Sequence, residues 1–219
     1  MPKPQLIIGN KNYSSWSLRP WLSLCKAGID FEEIYIPLYS GGFKERLLKY
    51  SPAGKVPIYL DGDTTVWDSL AIAEYLAEGS PQLWPSEPGQ RAEARSISAE
   101  MHSGFAALRT AMPMNCRGAG RVVENEPAIL DDIQRIQSIW SQCRTRNGAG
   151  GPWLYGQFSN ADAMYAPVVS RFKTYGVAGS SLVNDYIQTV LNDPDMQRWY
   201  QAAEAESEII DASEVGVAK

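Results

Sequence analysis

The stretch GSPQLWPSEPGQ, residues 79–90, carries three prolines and two glycines and separates two parts of the chain with different hydrophobic patterning. Ahead of it the pattern alternates. QLIIG (5–9) is a short apolar run, and Leu18, Trp21, Leu22 and Cys25 then recur at helical spacing. FEEIYI (31–36) is β-branched and aromatic, FKERLLKY (43–50) is helical, and VPIYLD (56–61) and TTVW (64–67) flank a Gly62-Asp63 turn, with Asp61-Gly62 as the alternative turn pair. SLAIAEYLAE (69–78) is an amphipathic helix. The order β-α-β-α-β-β-α describes a small α/β domain over 1–79, followed by a linker over 80–88. From 89 to 219 no segment reads as a strand. Helices are expected over 89–112, 126–147, 160–174, 181–192 and 194–207, so the second domain is expected to be all-helical. One of these starts is explicit: Ser159-Asn160-Ala161-Asp162 has the form of a capping box.

Charge and residue usage exclude several function classes. Twenty basic residues against 25 acidic ones give a net charge of −5, which offers no footprint for a nucleic-acid backbone. No apolar run approaches the roughly 18 to 20 residues that cross a bilayer, and the N-terminal apolar stretch is too short for a secretory signal. No membrane partner and a cytoplasmic location are therefore expected. Cys25, Cys116 and Cys143 lie far apart, so neither a disulfide framework nor a zinc site is expected. His102 is the only histidine, which leaves no metal site and no serine-histidine-aspartate triad unless His102 itself serves.

The candidate chemistry gathers at helix starts. In NYSSWSLRPW (12–21), Pro20 fits a helix best in the first turn, where its missing amide hydrogen has no partner to lose. Ser17 is then the natural N-cap, and Ser14 and Ser15 lie in the preceding loop, where free amides and the macrodipole favour an anion. The competing reading has Ser14 or Ser15 capping the helix with Pro20 inside it. Val56-Pro57 opens a strand at a residue held extended, leaving the Val56 backbone free to pair with a ligand or simply beginning the strand. Asp68-Ser69 precedes the helix at 69–78, where either residue can cap and the exposed amides can receive a carboxylate.

Nearly the whole chain resembles a cytosolic glutathione transferase. The likeness rests on the β-α-β-α-β-β-α start, the linker, the helical second part, SPAGKVP followed eleven residues after its proline by Asp68-Ser69, and the capping box in FSNADAMYAPV. SSWSLRPW is similar to the serine-type active-site loop of the zeta and tau classes. The resemblance implies a thioredoxin-like N-terminal domain, glutathione as co-substrate and a homodimer. It implies Ser14 as the catalytic hydroxyl on the glutathione sulfur, and Val56, before a cis proline, as the backbone partner of the cysteinyl part. Asp68 and Ser69 would then hold the γ-glutamyl group, with Lys55 near the glycyl carboxylate. Trp16 stands where the zeta-class loop usually has the cysteine used to isomerise maleylacetoacetate, and Asp68 where glutamate is commoner.

The family's second substrate lies against the first long helix of the second part, here EMHSGFAALRTAMPMN (100–115). Met101, Phe105 and Leu108 share one face of that helix, and His102, Ala106 and Arg109 another. The expected electrophile pocket is Trp16, Met101, His102, Phe105 and Arg109, although the apolar set also fits plain core packing. The expected activity is conjugation of glutathione to an electrophilic small molecule. The alternatives are a glutathione-dependent isomerase, ether-cleaving or dehalogenating enzyme, or a non-catalytic binding module on the same fold.

Overall fold

The structure, a computed structural model, describes residues 3–124 and 126–218. Strand β1 (Gln5–Ile8) runs parallel to β2 (Glu32–Tyr35) and antiparallel to β3 (Ile58–Asp61), which pairs antiparallel with β4 (Thr64–Trp67) to give the sheet order β2-β1-β3-β4. Asp61 pairs with Thr64, so Gly62 and Asp63 form the turn, with Gly62 at the positive φ of 57° that favours glycine. Alternation along β1 divides the core. Leu6 and Ile8 pack beneath helices α1 (Ser15–Lys26) and α3 (Ser69–Gly79), whereas Ile7 faces Ile58 and Leu47 of α2 (Phe43–Leu48) on the other side.

Helix α1 begins at Ser15, two residues before the start expected from Pro20, and its N-cap is Ser14. Pro20 lies inside the helix. It forgoes one intrahelical bond, and the Ser17 hydroxyl, freed from capping, accepts the Gly9 amide at 3.1 Å and ties α1 to the end of β1. Capping by Ser14, the competing reading, is what forms.

The expected helix over 89–112 is two helices, α4 (Pro88–Ser103) and α5 (Ala106–Ala111). Gly104 donates to the Glu100 carbonyl at 2.8 Å, and a Cβ at Gly104 would come within 2.8 Å of that same oxygen. Phe105 then turns the chain in the left-handed region at φ 60°. This break re-aims every side chain after residue 103, so the two helical faces expected across it do not exist.

The helices α6 (Pro127–Asn147), α7 (Asn160–Tyr175), α8 (Ser181–Leu191) and α9 (Pro194–Glu204) complete the helical part. A short pair, β5 (Arg121–Val122) with β6 (Val217–Ala218), was not expected; two-residue strands leave no periodicity to read. The capping box forms as expected, with the Ser159 amide donating to Asp162 Oδ2 at 2.8 Å. It sets α7 against α1 and α3: Asn160 Oδ1 accepts from Ser23 Oγ at 2.7 Å, and its amide nitrogen donates to the Ala73 carbonyl at 2.9 Å. The crevice described next opens at the N-terminal end of α1.

Candidate active site

Two adjoining cavities share Trp16, Lys55 and Val56. The smaller, about 260 Å³, lies at the start of α3 and is bounded by Asp68, Ser69, His102 and the Val56-Pro57 pair. The larger, about 510 Å³, reaches from Ser14 and Ser15 past Arg109 and Arg171 to Tyr39, Phe43 and Ile210.

Ser14 projects from the N-terminus of α1. Its Oγ accepts the Ser17 amide at 3.3 Å and lies 2.8 Å from Ser17 Oγ. Because Ser17 Oγ already accepts from Gly9, its own hydrogen is available to Ser14, and that arrangement leaves the Ser14 O–H to donate into the cavity. Ser15 Oγ accepts from Arg171 Nη2 at 3.3 Å. The Val56-Pro57 bond is cis, and among the described residues no hydrogen bond from the protein reaches the Val56 N–H or C=O.

Asp68 holds the N-cap of α3 at φ 75°, and its Oδ1 accepts from the Leu70 and Ala71 amides at 2.8 and 3.3 Å. The neighbouring Ser69 hydroxyl is fully buried with no hydrogen-bond partner. An unsatisfied buried hydroxyl costs about 1–3 kcal/mol, so this one marks a place where a polar group belongs. Lys55 lines both cavities and, among the described residues, forms no ion pair.

The expected electrophile-pocket residues divide. Trp16 is the wall between the cavities, and Arg109 lines the larger one with its guanidinium 5.0 Å from the Trp16 ring centroid. His102 borders the smaller cavity instead, bonded to Asp68. Met101 is fully buried and Phe105 7% exposed; both belong to the core and line neither cavity.

The sequence reading missed two arginines. Arg19 is 2% exposed, its guanidinium 4.4 Å from the Trp16 ring centroid and its Nη1 without a partner. Arg171, 5% exposed, donates to the Pro167 carbonyl and to Ser15, and its Nε is unpartnered, as is that of Arg109. Among the described residues none of the three faces a carboxylate in an ion pair. Burial, with repulsion from Arg109, pushes Arg171 down to about 10, and burial with repulsion from Arg109 and Arg171 pushes Arg19 well below its ordinary value. The larger cavity thus has a cationic floor, formed by Arg109 and Arg171 in its lining. Arg171 belongs to the helix opened by the capping box, but one arginine in a helical segment carries no signal of where it points.

The C-terminal segment was also missed, since 205–218 shows no periodicity. Glu206 accepts the Lys11 and Asn12 amides at 2.6 and 3.0 Å, Glu214 accepts from the Tyr13 hydroxyl at 2.5 Å, and between them Ile210 and Ser213 close one side of the larger cavity. Neither cavity contains a thiol of the protein. Burial pushes Cys25 up to about 12 and Cys116 and Cys143 up to about 11, which makes all three poor nucleophiles.

Residues 13–78 match the family model described as glutathione S-transferase, N-terminal domain. The chain is 38% identical over 182 residues to maleylacetoacetate isomerase of Mus musculus, covering 80% of this chain and 81% of that protein. It is 35% identical over 181 residues to glutathione S-transferase Z1 of Arabidopsis thaliana, covering 74% of this chain and 79% of that protein. A glutathione transferase homolog from Burkholderia gl BGR1, solved with bound glutathione, shares the fold at a TM-score of 0.70 and 21% identity, over 94% of this chain and 100% of that one. The chain belongs to the glutathione S-transferase family.

Proposed function

We infer that this protein binds glutathione along the two cavities, holds its sulfur as the thiolate beside Ser14, and transfers it to an electrophile bearing a carboxylate. One observation carries the reading. A single crevice presents a hydroxyl at a helix N-terminus, an unbonded backbone at Val56 and a buried, partnerless hydroxyl at Ser69, followed by a floor of unpaired guanidiniums.

Each part answers a part of the reactants. Ser69 suits the γ-glutamyl carboxylate, the Val56 backbone suits the cysteinyl amide, and Lys55 suits the glycyl carboxylate. A free thiol with a pKa of about 8.5 is mostly protonated at neutral pH. A hydrogen bond to a charged group contributes about 1.5–3 kcal/mol, which equals roughly one to two pKa units in favour of the thiolate. The thiol proton leaves to solvent, the sulfur pair forms the new bond to carbon, and the electrophile's leaving group or π pair takes the negative charge. Ser14 stabilises the anion and is not a base. Arg109 and Arg171 would hold the electrophile's carboxylate within reach of the sulfur. Glutathione-dependent isomerisation would use the same bound thiolate, and the Mus musculus relative favours it as a second reading.

Paired electrophiles test this. With glutathione present, a carboxylate-bearing aryl or alkenyl electrophile should turn over faster than its methyl ester. Arg171→Ala should lower kcat/KM for the acid roughly 10- to 100-fold, the equivalent of one hydrogen bond to a charged group, and for the ester less than threefold. Equal losses for acid and ester would remove the anionic-substrate assignment, and no glutathione-dependent turnover of either would remove the transferase reading. The family resemblance further suggests a cytoplasmic homodimer, which sedimentation equilibrium would detect.

A further inference from the structure

We propose that His102 is a positioning residue for glutathione, recognising the amino end of its γ-glutamyl group together with Asp68, and is not part of the electrophile pocket. The inference rests on the glutathione reading above.

His102 stands one residue from the end of α4, in the helical part of the chain, yet its Nε2 lies 2.7 Å from Asp68 Oδ2 at the start of α3. A carboxylate oxygen accepts, so Nε2 donates its hydrogen to Asp68. Among the described residues Nδ1 has no hydrogen-bond partner. The ring is fixed from two further directions. It meets the Trp16 ring edge-on at a centroid distance of 5.4 Å, and Arg109 clamps the end of α4 through the Met101 and His102 carbonyls. Asp68 is equally constrained, since its other oxygen caps α3 and its backbone is held at a φ that a non-glycine residue rarely adopts.

The smaller cavity consequently has two chemically opposite sides. Asp68 presents a carboxylate held by His102, whereas the partnerless Ser69 hydroxyl donates; the Leu70 and Ala71 amides are already bonded to Asp68 Oδ1. An ammonium and a carboxylate on one carbon satisfy both sides at once, and the γ-glutamyl end of glutathione carries that pair. A histidine that served only to pack α4 on α3 would not need to bond the acidic residue that borders a ligand-sized cavity.

Steady-state kinetics on wild type, His102→Ala and His102→Gln, each with glutathione and with its analogue lacking the α-amino group (glutaryl-cysteinyl-glycine), decide the matter. His102→Ala should raise KM for glutathione about tenfold, the scale of one hydrogen bond to a charged group, while changing kcat and KM for the electrophile less than about twofold. The wild type's preference for glutathione over the analogue should shrink by the same factor in His102→Ala, because the analogue has no ammonium to lose. His102→Gln, whose amide can still donate to Asp68, should recover much of the affinity. The proposal is overturned if both peptides weaken equally, or if KM rises for the electrophile instead. A wild type that does not use glutathione overturns the functional reading itself; a wild type that does, with His102→Ala unchanged, overturns only the role of His102.

Discussion

Ser14 performs two tasks with one oxygen, accepting the Ser17 amide to cap α1 and standing at the edge of the larger cavity, with its hydrogen free when Ser17 donates the bond between the two hydroxyls. Ser14→Ala therefore has two separable consequences. Loss of the cap should cost about 1 kcal/mol of stability, seen as a lower denaturant midpoint. Loss of the hydroxyl should lower kcat/KM with glutathione roughly 10- to 100-fold, far more than the stability change explains. Ser15→Ala, which removes only the acceptor for Arg171, should stay within about threefold on a neutral electrophile; the reverse ranking would transfer the role to Ser15. The sequence narrowed the chemistry to these two serines but left the cap open between Ser17, which Pro20 favoured, and Ser14 or Ser15. The helix tolerates the proline because tertiary contacts hold α1: Ser17 bonds to Gly9, and Ser23 to Asn160.

Among the elements, α7 shows most directly how local sequence reaches the crevice. Its cap places Asp162 in full burial, where it accepts from the Ser159 and Leu154 amides at 2.8 and 3.1 Å and from the Tyr186 hydroxyl at 3.1 Å. Burial outweighs these bonds and pushes its carboxyl up from 3.8 to about 6. The folded state therefore holds more protons than the unfolded one between those values, so ionisation of Asp162 erodes stability as pH rises through that window. Urea midpoints of wild type and Asp162→Asn should separate accordingly. The stability of the wild type relative to the variant should fall by about 2 to 3 kcal/mol from pH 4 to pH 6 and level off above, while carboxylates common to both proteins cancel. A difference that is flat or rises over that window contradicts the raised carboxyl. The capping box was legible because both of its residues lie within one turn. The division of α4 from α5 was not, because a single Gly104 within an otherwise helical pattern does not by itself announce that the next residue, Phe105, turns the chain at φ 60°.

At the scale of the whole molecule, the first eighty residues supply Ser14, Val56, Asp68 and Ser69 to the crevice, and the helices supply Arg109 and Arg171. The strand and helix order was readable because each element is long enough to show its period. The β5–β6 pair and the C-terminal strap were not, since both are defined by partners about a hundred or more residues away. The same holds for the site. Asp68, Ser69 and Val56 announce themselves through helix starts and a proline, whereas Arg19 and Arg171 become conspicuous only when folding brings them to Trp16 and Ser15 without a carboxylate. The central claim is that this crevice keeps a bound thiol ionised. Ultraviolet difference titration of thiolate absorbance in the glutathione complex measures it directly. The account predicts a wild-type complex whose sulfur titrates one to two units below the free value of about 8.5 and a Ser14→Ala complex that returns toward it; a wild-type complex whose sulfur titrates like free glutathione would contradict it.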